Sequence, residues 1–125
     1  MRILLDTHIF LWVVFDNPKL SKTAKRLLSS ADEIYVSSAS IWEMSIKSSL
    51  GKLNVDVPRL ASEIISVGFL ELPVRIHHSL MVRTLADIHK DPFDRMLIAQ
   101  AISEPLNLVT SDNRLAGYSE LVITV

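Results

Sequence analysis

The chain has 125 residues, no cysteine and a formal net charge of −1, with 13 Lys and Arg against 14 Asp and Glu. This balance excludes a bulk basic footprint for nucleic acid, so any such contact must rest on a local patch. The missing thiols exclude disulfides, thiolate metal sites and cysteine nucleophiles, and are compatible with a reducing cytosol. Hydrophobic residues at 49% predict a well-cored globular chain, organised as one domain over residues 1–125. The apolar run 9–15 is too short to span a bilayer and carries no cleavage pattern, so a soluble, unprocessed, cytoplasmic protein is expected.

Residues 2–5 read as a short buried strand ending at Asp6-Thr7, and 8–15 as a helix apolar nearly all round, broken by Asn17-Pro18. Ser21 caps a helix from Lys22 to Ser29. Ile34-Tyr35-Val36 is a second strand, and Ser40-Ile41-Trp42-Glu43 opens a third helix that runs to about Leu50, where Gly51 ends it. Pro58 starts a helix through Val67, stopped by Gly68. Phe69 to Leu72 is a strand closed by Pro73, and a helix follows from about His77 to Leu85. Asp91 is the N-cap of the next helix, with Pro92 at its first position. Asn107 to Thr110 is a strand, Ser111-Asp112-Asn113 a turn, and Leu121 to Val125 a last strand at a sheet edge. This alternation predicts an α/β fold in three layers, a mainly parallel central sheet with helices on both faces.

In such sheets, sites form beyond the carboxyl ends of the strands where the strand order reverses. Four carboxylates fall at element junctions. Asp6 and Asp112 directly follow strands, while Glu43 and Asp94 lie in first turns of helices. Each has a local structural explanation. Asp6 serves as a cap, Glu43 completes a capping box with Ser40, Asp94 reaches back to the Asp91 amide, or Asp112 is an ordinary turn residue. The joint pattern points elsewhere. Asp94 lies within a helical arc of Leu97, Ile98, Ala101 and Ile102, and Glu43 shares a face with Ile46 and Leu50. Carboxylates beside buried stripes are costly unless compensated, and four at one edge raise each other's pKa values. A hard divalent cation, Mg²⁺ or Mn²⁺, relieves that repulsion with oxygen ligands alone and can shield a phosphodiester.

Four segments carry a resemblance: Leu5-Asp6-Thr7-His8, Ser40-Ile41-Trp42-Glu43, Asp91-Pro92-Phe93-Asp94-Arg95-Met96-Leu97-Ile98-Ala99-Gln100-Ala101 and Thr110-Ser111-Asp112. In their order and spacing the chain resembles, over essentially its whole length, a PIN domain (PilT N-terminus) of the VapC-like toxin type. The resemblance implies an Mg²⁺- or Mn²⁺-dependent endoribonuclease. Its acidic residues fall on Asp6, Glu43, Asp94 and Asp112, and its hydroxyl on Thr110 or Ser111, where it would orient a ligand or a water. It also implies a homodimer neutralised by a small antitoxin that lays a segment over the acids. Many members carry an aromatic shortly after the final Asp, where this chain has Asn113-Arg114-Leu115.

Lys47 and Arg95 are candidate RNA phosphate contacts, each with a salt-bridge alternative. His77, His78 and His89 read as surface or helix-start residues, and Trp12 and Trp42 as core or dimer face. Two other functions fit carboxylates at strand ends. One is a receiver-type phospho-switch, which lacks its second acid here because Thr7 follows Asp6. The other is a non-catalytic interaction module on the same fold, against which the four intact acids stand.

Overall fold

The computed structural model describes residues 1–125. Its elements are β1 (Arg2–Leu5), α1 (Thr7–Val14), α2 (Lys22–Ser29), β2 (Glu33–Ser37), α3 (Ser38–Ser49), α4 (Val57–Ser66), β3 (Leu70–Leu72), α5 (Ile76–Val82), α6 (Pro92–Ser103), β4 (Asn107–Thr110) and β5 (Val122–Thr124). A 3₁₀ segment, Asn113–Tyr118, links β4 to β5. The sheet order is β3-β2-β1-β4-β5 and every pairing is parallel. The chain thus winds outward from β1 through β2 to β3, then returns to lay β4 and β5 on the other side. The order reverses between β1 and β4.

Strand alternation divides the core into two layers. Ile3, Leu5, Val36 and Val109 face one side, packed with Ile9 and Phe10 of α1, Ala24 of α2, Met44 of α3 and Leu60 and Ile64 of α4. Leu4, Leu72 and Leu108 face the other, packed with Leu97, Ile98 and Ala101 of α6 and with Leu115. The sheet therefore lies between two helical layers, as the alternation of elements predicts. Gly51 and Gly68, at φ +73° and +84°, turn the chain after α3 and α4 in the left-handed region that favours glycine. No helix is long and apolar enough to cross a membrane.

The structure departs from the sequence reading at several points. Ser37, not Ser40, caps α3, its hydroxyl accepting from the Ala39 amide. Glu43 is therefore one turn further into the helix than a capping box requires. α5 ends at Val82, and the next residues form turns through Thr84 N–H to Met81 and Leu85 N–H to Val82. The turn after Asp112 extends into the 3₁₀ segment. His78 is not a surface residue. It is buried, its Nδ1 accepting from the Arg75 amide at 2.9 Å and its Nε2 2.6 Å from Glu104. Trp42 is not core: it is 63% exposed and meets Phe93 edge-on, with ring centroids 5.1 Å apart.

Candidate metal centre

Asp6 follows β1 directly and is 5% exposed. Its Oδ1 caps α1 by accepting from the His8 amide at 2.7 Å, so the predicted cap is real. The cap uses one oxygen only. Oδ2 accepts from the Thr110 hydroxyl at 2.6 Å, across the β1–β4 pairing. Thr110 Oγ1 in turn accepts from the Asp112 amide at 3.1 Å. One side chain therefore couples the acid after β1 to the loop that carries the acid after β4. Of the two candidate hydroxyls, Thr110 is the buried one, and Ser111 is exposed.

Glu43 is 4% exposed, on the α3 face that turns toward α1. Its Oε1 lies 2.8 Å from Thr7 Oγ1, which is also 2.9 Å from Ser40 Oγ. A hydroxyl has one hydrogen and an ionised carboxylate only accepts. Thr7 thus donates to Glu43, and Ser40 donates to Thr7. Lys47, one helical turn on, closes on Oε2 in an ion pair. Glu43 holds the lysine above its usual pKa. Thr7 and Ser40 lie in the segments that carry the resemblance, but sequence reasoning gave neither a role at the acids, because Thr7 and its partner Glu43 are 36 residues apart.

Asp91 is the N-cap of α6, its Oδ1 accepting from both the Phe93 and Asp94 amides at 2.9 Å. Capping is thereby assigned to Asp91, and the Asp94 carboxylate is left for other contacts. It is half-buried and feels the negative charges of Asp91, Asp6 and Glu43. Burial first, then Asp91, pushes its pKa up from 3.8 to about 6, against a hydrogen bond from His89 that pulls it down. This places the first turn of α6 at the same sheet edge as Asp6 and Glu43, the one placement that the order of elements left open.

Asp112 opens the 3₁₀ segment, its Oδ1 accepting from the Arg114 amide at 3.0 Å. The Arg114 guanidinium straddles the carboxylate, with Nε 3.0 Å from Oδ1 and a terminal nitrogen 2.8 Å from Oδ2. That fork holds Asp112 below the usual carboxylate range. Ligand atoms of Asp112, Asp94 and His89 all lie within 4.8 Å of one another. Sequence reading took His89 as a surface or helix-start residue. In the structure its Nε2 is 2.9 Å from Asp94 Oδ2, and its side chain is 12% exposed.

Arg95 differs from expectation. Its guanidinium is turned inward, to the carbonyls of Ala86 at 3.0 Å and of His89 and Val82 at 3.3 Å, and to the Tyr118 hydroxyl at 3.1 Å. These four acceptors make it a brace for the segment before α6, not a free grip on phosphate. Lys47 keeps an accessible ammonium at the rim, with 40% of its side chain exposed.

Can these residues hold a divalent cation? Asp6 and Glu43 each lie close enough to Asp94 for it to register their charges. Lys47 balances Glu43 and Arg114 balances Asp112, while the Asp94 carboxylate has no lysine or arginine on it and is met by His89 alone. A half-buried carboxyl driven up to about 6 by burial and like charge is the signature of negative charge still to be compensated. The donors are carboxylate oxygens, the ligand type of Mg²⁺ and Mn²⁺.

Comparison with known proteins agrees with the fold. The Ribonuclease VapC22 of Mycobacterium tuberculosis is 27% identical over 122 residues, spanning 93% of this chain and 91% of that protein. Among solved structures, VapBC2 from Rickettsia felis, bound to a DNA fragment from its promoter, matches with a TM-score of 0.70 at 18% identity, over 100% of this chain and 98% of that one. A toxin–antitoxin complex from Klebsiella pneumoniae matches with a TM-score of 0.66 at 18% identity, over 98% and 96%. The family model for the PIN domain matches residues 3–121, which include all four acids and every strand but β5 and the first residue of β1, and the chain belongs to the PIN domain family.

Proposed function

We propose that this chain is an Mg²⁺- or Mn²⁺-dependent endoribonuclease, the toxin of a toxin–antitoxin pair, working in the cytoplasm as one PIN domain over residues 1–125. The observation that carries the reading is the gathering of acids around Asp94, a half-buried carboxylate that lies among the charges of Asp91, Asp6 and Glu43 and within 4.8 Å, ligand atom to ligand atom, of Asp112. The name of the Mycobacterium tuberculosis relative supports ribonuclease activity, and the Klebsiella pneumoniae complex supports a toxin role.

Asp6, Glu43, Asp94 and Asp112 would hold the cation, directly or through water. When bound, it supplies Lewis-acid shielding of the phosphodiester and eases the ionisation of an attacking water. The reaction adds water to phosphorus and breaks one P–O ester bond. The chain's own residues fix the acids beforehand. The Thr110 hydroxyl and the His8 amide hold both oxygens of Asp6. Thr7 and Lys47 hold both oxygens of Glu43. Asp91 keeps the first turn of α6 in register. Such fixed oxygens cost no reorganisation when charge develops on the substrate. Lys47 at the rim would meet an RNA phosphate. An antitoxin would silence the site by laying a basic side chain over the same acids. Exposed Val74, Ile76 and Leu80, on and before α5, are an apolar surface suited to a homodimer.

A receiver-type switch gains nothing from the geometry, because the position after Asp6 is a threonine already committed to Glu43. The test is cleavage of RNA by the purified chain freed of any partner. Mg²⁺ or Mn²⁺ supports cleavage, while EDTA or Asp94→Asn abolishes it. Cleavage that persists in EDTA, with Asp94→Asn as active as wild type, refutes the reading.

A further inference from the structure

His8 stands exposed with Nδ1 3.8 Å from Asp6 Oδ1, whereas the largely buried His89 ring hydrogen-bonds Asp94 at 2.9 Å and its main chain is fastened in an uncommon way. The Tyr118 hydroxyl accepts from the His89 amide at 2.8 Å and donates to the His89 carbonyl at 3.1 Å. Arg95 bonds both the Tyr118 hydroxyl and the His89 carbonyl. Tyr118 ends the 3₁₀ segment that Asp112 opens, and Arg95 follows Asp94 in α6. Next to Tyr118, Gly117 lets Ile88 pack closely: a β-carbon there would stand 3.3 Å from Ile88 Cδ1. Three segments that carry site residues are thus tied together at a single residue, and the side chain of that residue points at Asp94.

We infer that His89 is the positioning residue for Asp94, held in place by the Tyr118–Arg95 brace, and that its Nε2–H bond to Oδ2 fixes the carboxylate's rotation so that Oδ1 is presented to the cation. This rests on the proposed function for the cation, though not for the hydrogen bond itself. An ionised carboxylate only accepts, so the bond assigns the hydrogen to Nε2 of the imidazole. Histidine here acts through Asp94. Outer partners of this kind set ligand orientation, and their loss typically weakens metal binding about 10- to 100-fold.

The experiment compares His89→Ala, His89→Gln and His89→Asn with Tyr118→Phe in the full chain. Glutamine places its amide nitrogen where Nε2 stands, whereas asparagine places its own where Nδ1 stands. In the metal-free protein, the ¹³C carboxyl resonance of Asp94 shifts in His89→Ala, His89→Asn and Tyr118→Phe and returns toward wild type in His89→Gln. With Mn²⁺ as the probe, calorimetry gives about tenfold weaker binding for the first three variants and near-recovery for glutamine. RNA cleavage shows kcat falling with KM unchanged. An Asp94 resonance identical in His89→Ala and wild type overturns the inference. So does Mn²⁺ binding in His89→Gln as weak as in His89→Ala, which would make the imidazole itself a ligand. Failure of wild type to bind Mn²⁺ while the Asp94 resonance follows the expected order refutes the cation reading and leaves the positioning role standing.

Discussion

Asp94→Asn should make the metal-free protein more stable at neutral pH, although it destroys activity. The folded pKa of about 6 lies above the ordinary 3.8, so the fold disfavours the charged form. The stability that Asp94 contributes is fully present below its unfolded pKa. It is lost as pH rises from about 4 through about 6. Moving the midpoint from 3.8 to about 6 corresponds to about 3 kcal/mol. Asparagine removes the charge and keeps an acceptor for His89, so the variant should recover about 2–3 kcal/mol above pH 7, or roughly 5–10 °C in Tm for a chain of this size. The assay is paired thermal melts in EDTA at pH 4 and pH 7.5. The gain should appear at pH 7.5 and nearly vanish at pH 4, where the folded carboxyl is already protonated. Mg²⁺ should stabilise wild type and narrow the gap. A variant less stable than wild type at pH 7.5, or an equal difference at both pH values, refutes the argument and points to a structural role for the ionised carboxylate.

Two further outcomes separate the supports of the site. Thr110→Val keeps shape but removes the donor to Asp6 and the acceptor for the Asp112 amide. Stability should fall by about 1.5–3 kcal/mol in urea unfolding, because a buried charged acceptor loses its partner. Asp91→Asn keeps a good cap while deleting the second-ranked cause of the Asp94 shift. Stability should change by less than about 0.5 kcal/mol, and NMR titration should find the Asp94 midpoint lowered toward the usual carboxylate range. An unmoved midpoint would mean that the Asp91 charge has no part in raising it.

Local sequence determined much of this protein. The strands β1, β2 and β4, the caps Ser21 and Asp91, and the glycines after α3 and α4 follow from patterns a few residues long, because backbone conformation and capping are settled within one turn. So does the parallel alternation of strands and helices. The positions of the four acids at junctions were equally legible, and so was the reading that Asp91 rather than Asp94 caps α6. What chain order could not yield were contacts between elements far apart in sequence. Thr7 reaching Ser40 and Glu43, and Thr110 reaching Asp6, depend on the sheet order that sets β4 beside β1. Arg95 looked free for phosphate until folding supplied three carbonyls and a phenol around it. His78 and His89 looked superficial because nothing near them in sequence announces Glu104 or the tilt of the loop before α6. The order of elements placed Asp6, Glu43 and Asp112 at one sheet edge, and left open whether α6 brings Asp94 there. Only the tertiary structure decided that α6 brings Asp94 to that edge, that Lys47 and Arg114 pair with Glu43 and Asp112, and that Asp94 meets His89 rather than a lysine or arginine, because burial and partner distance are properties of the assembled layers.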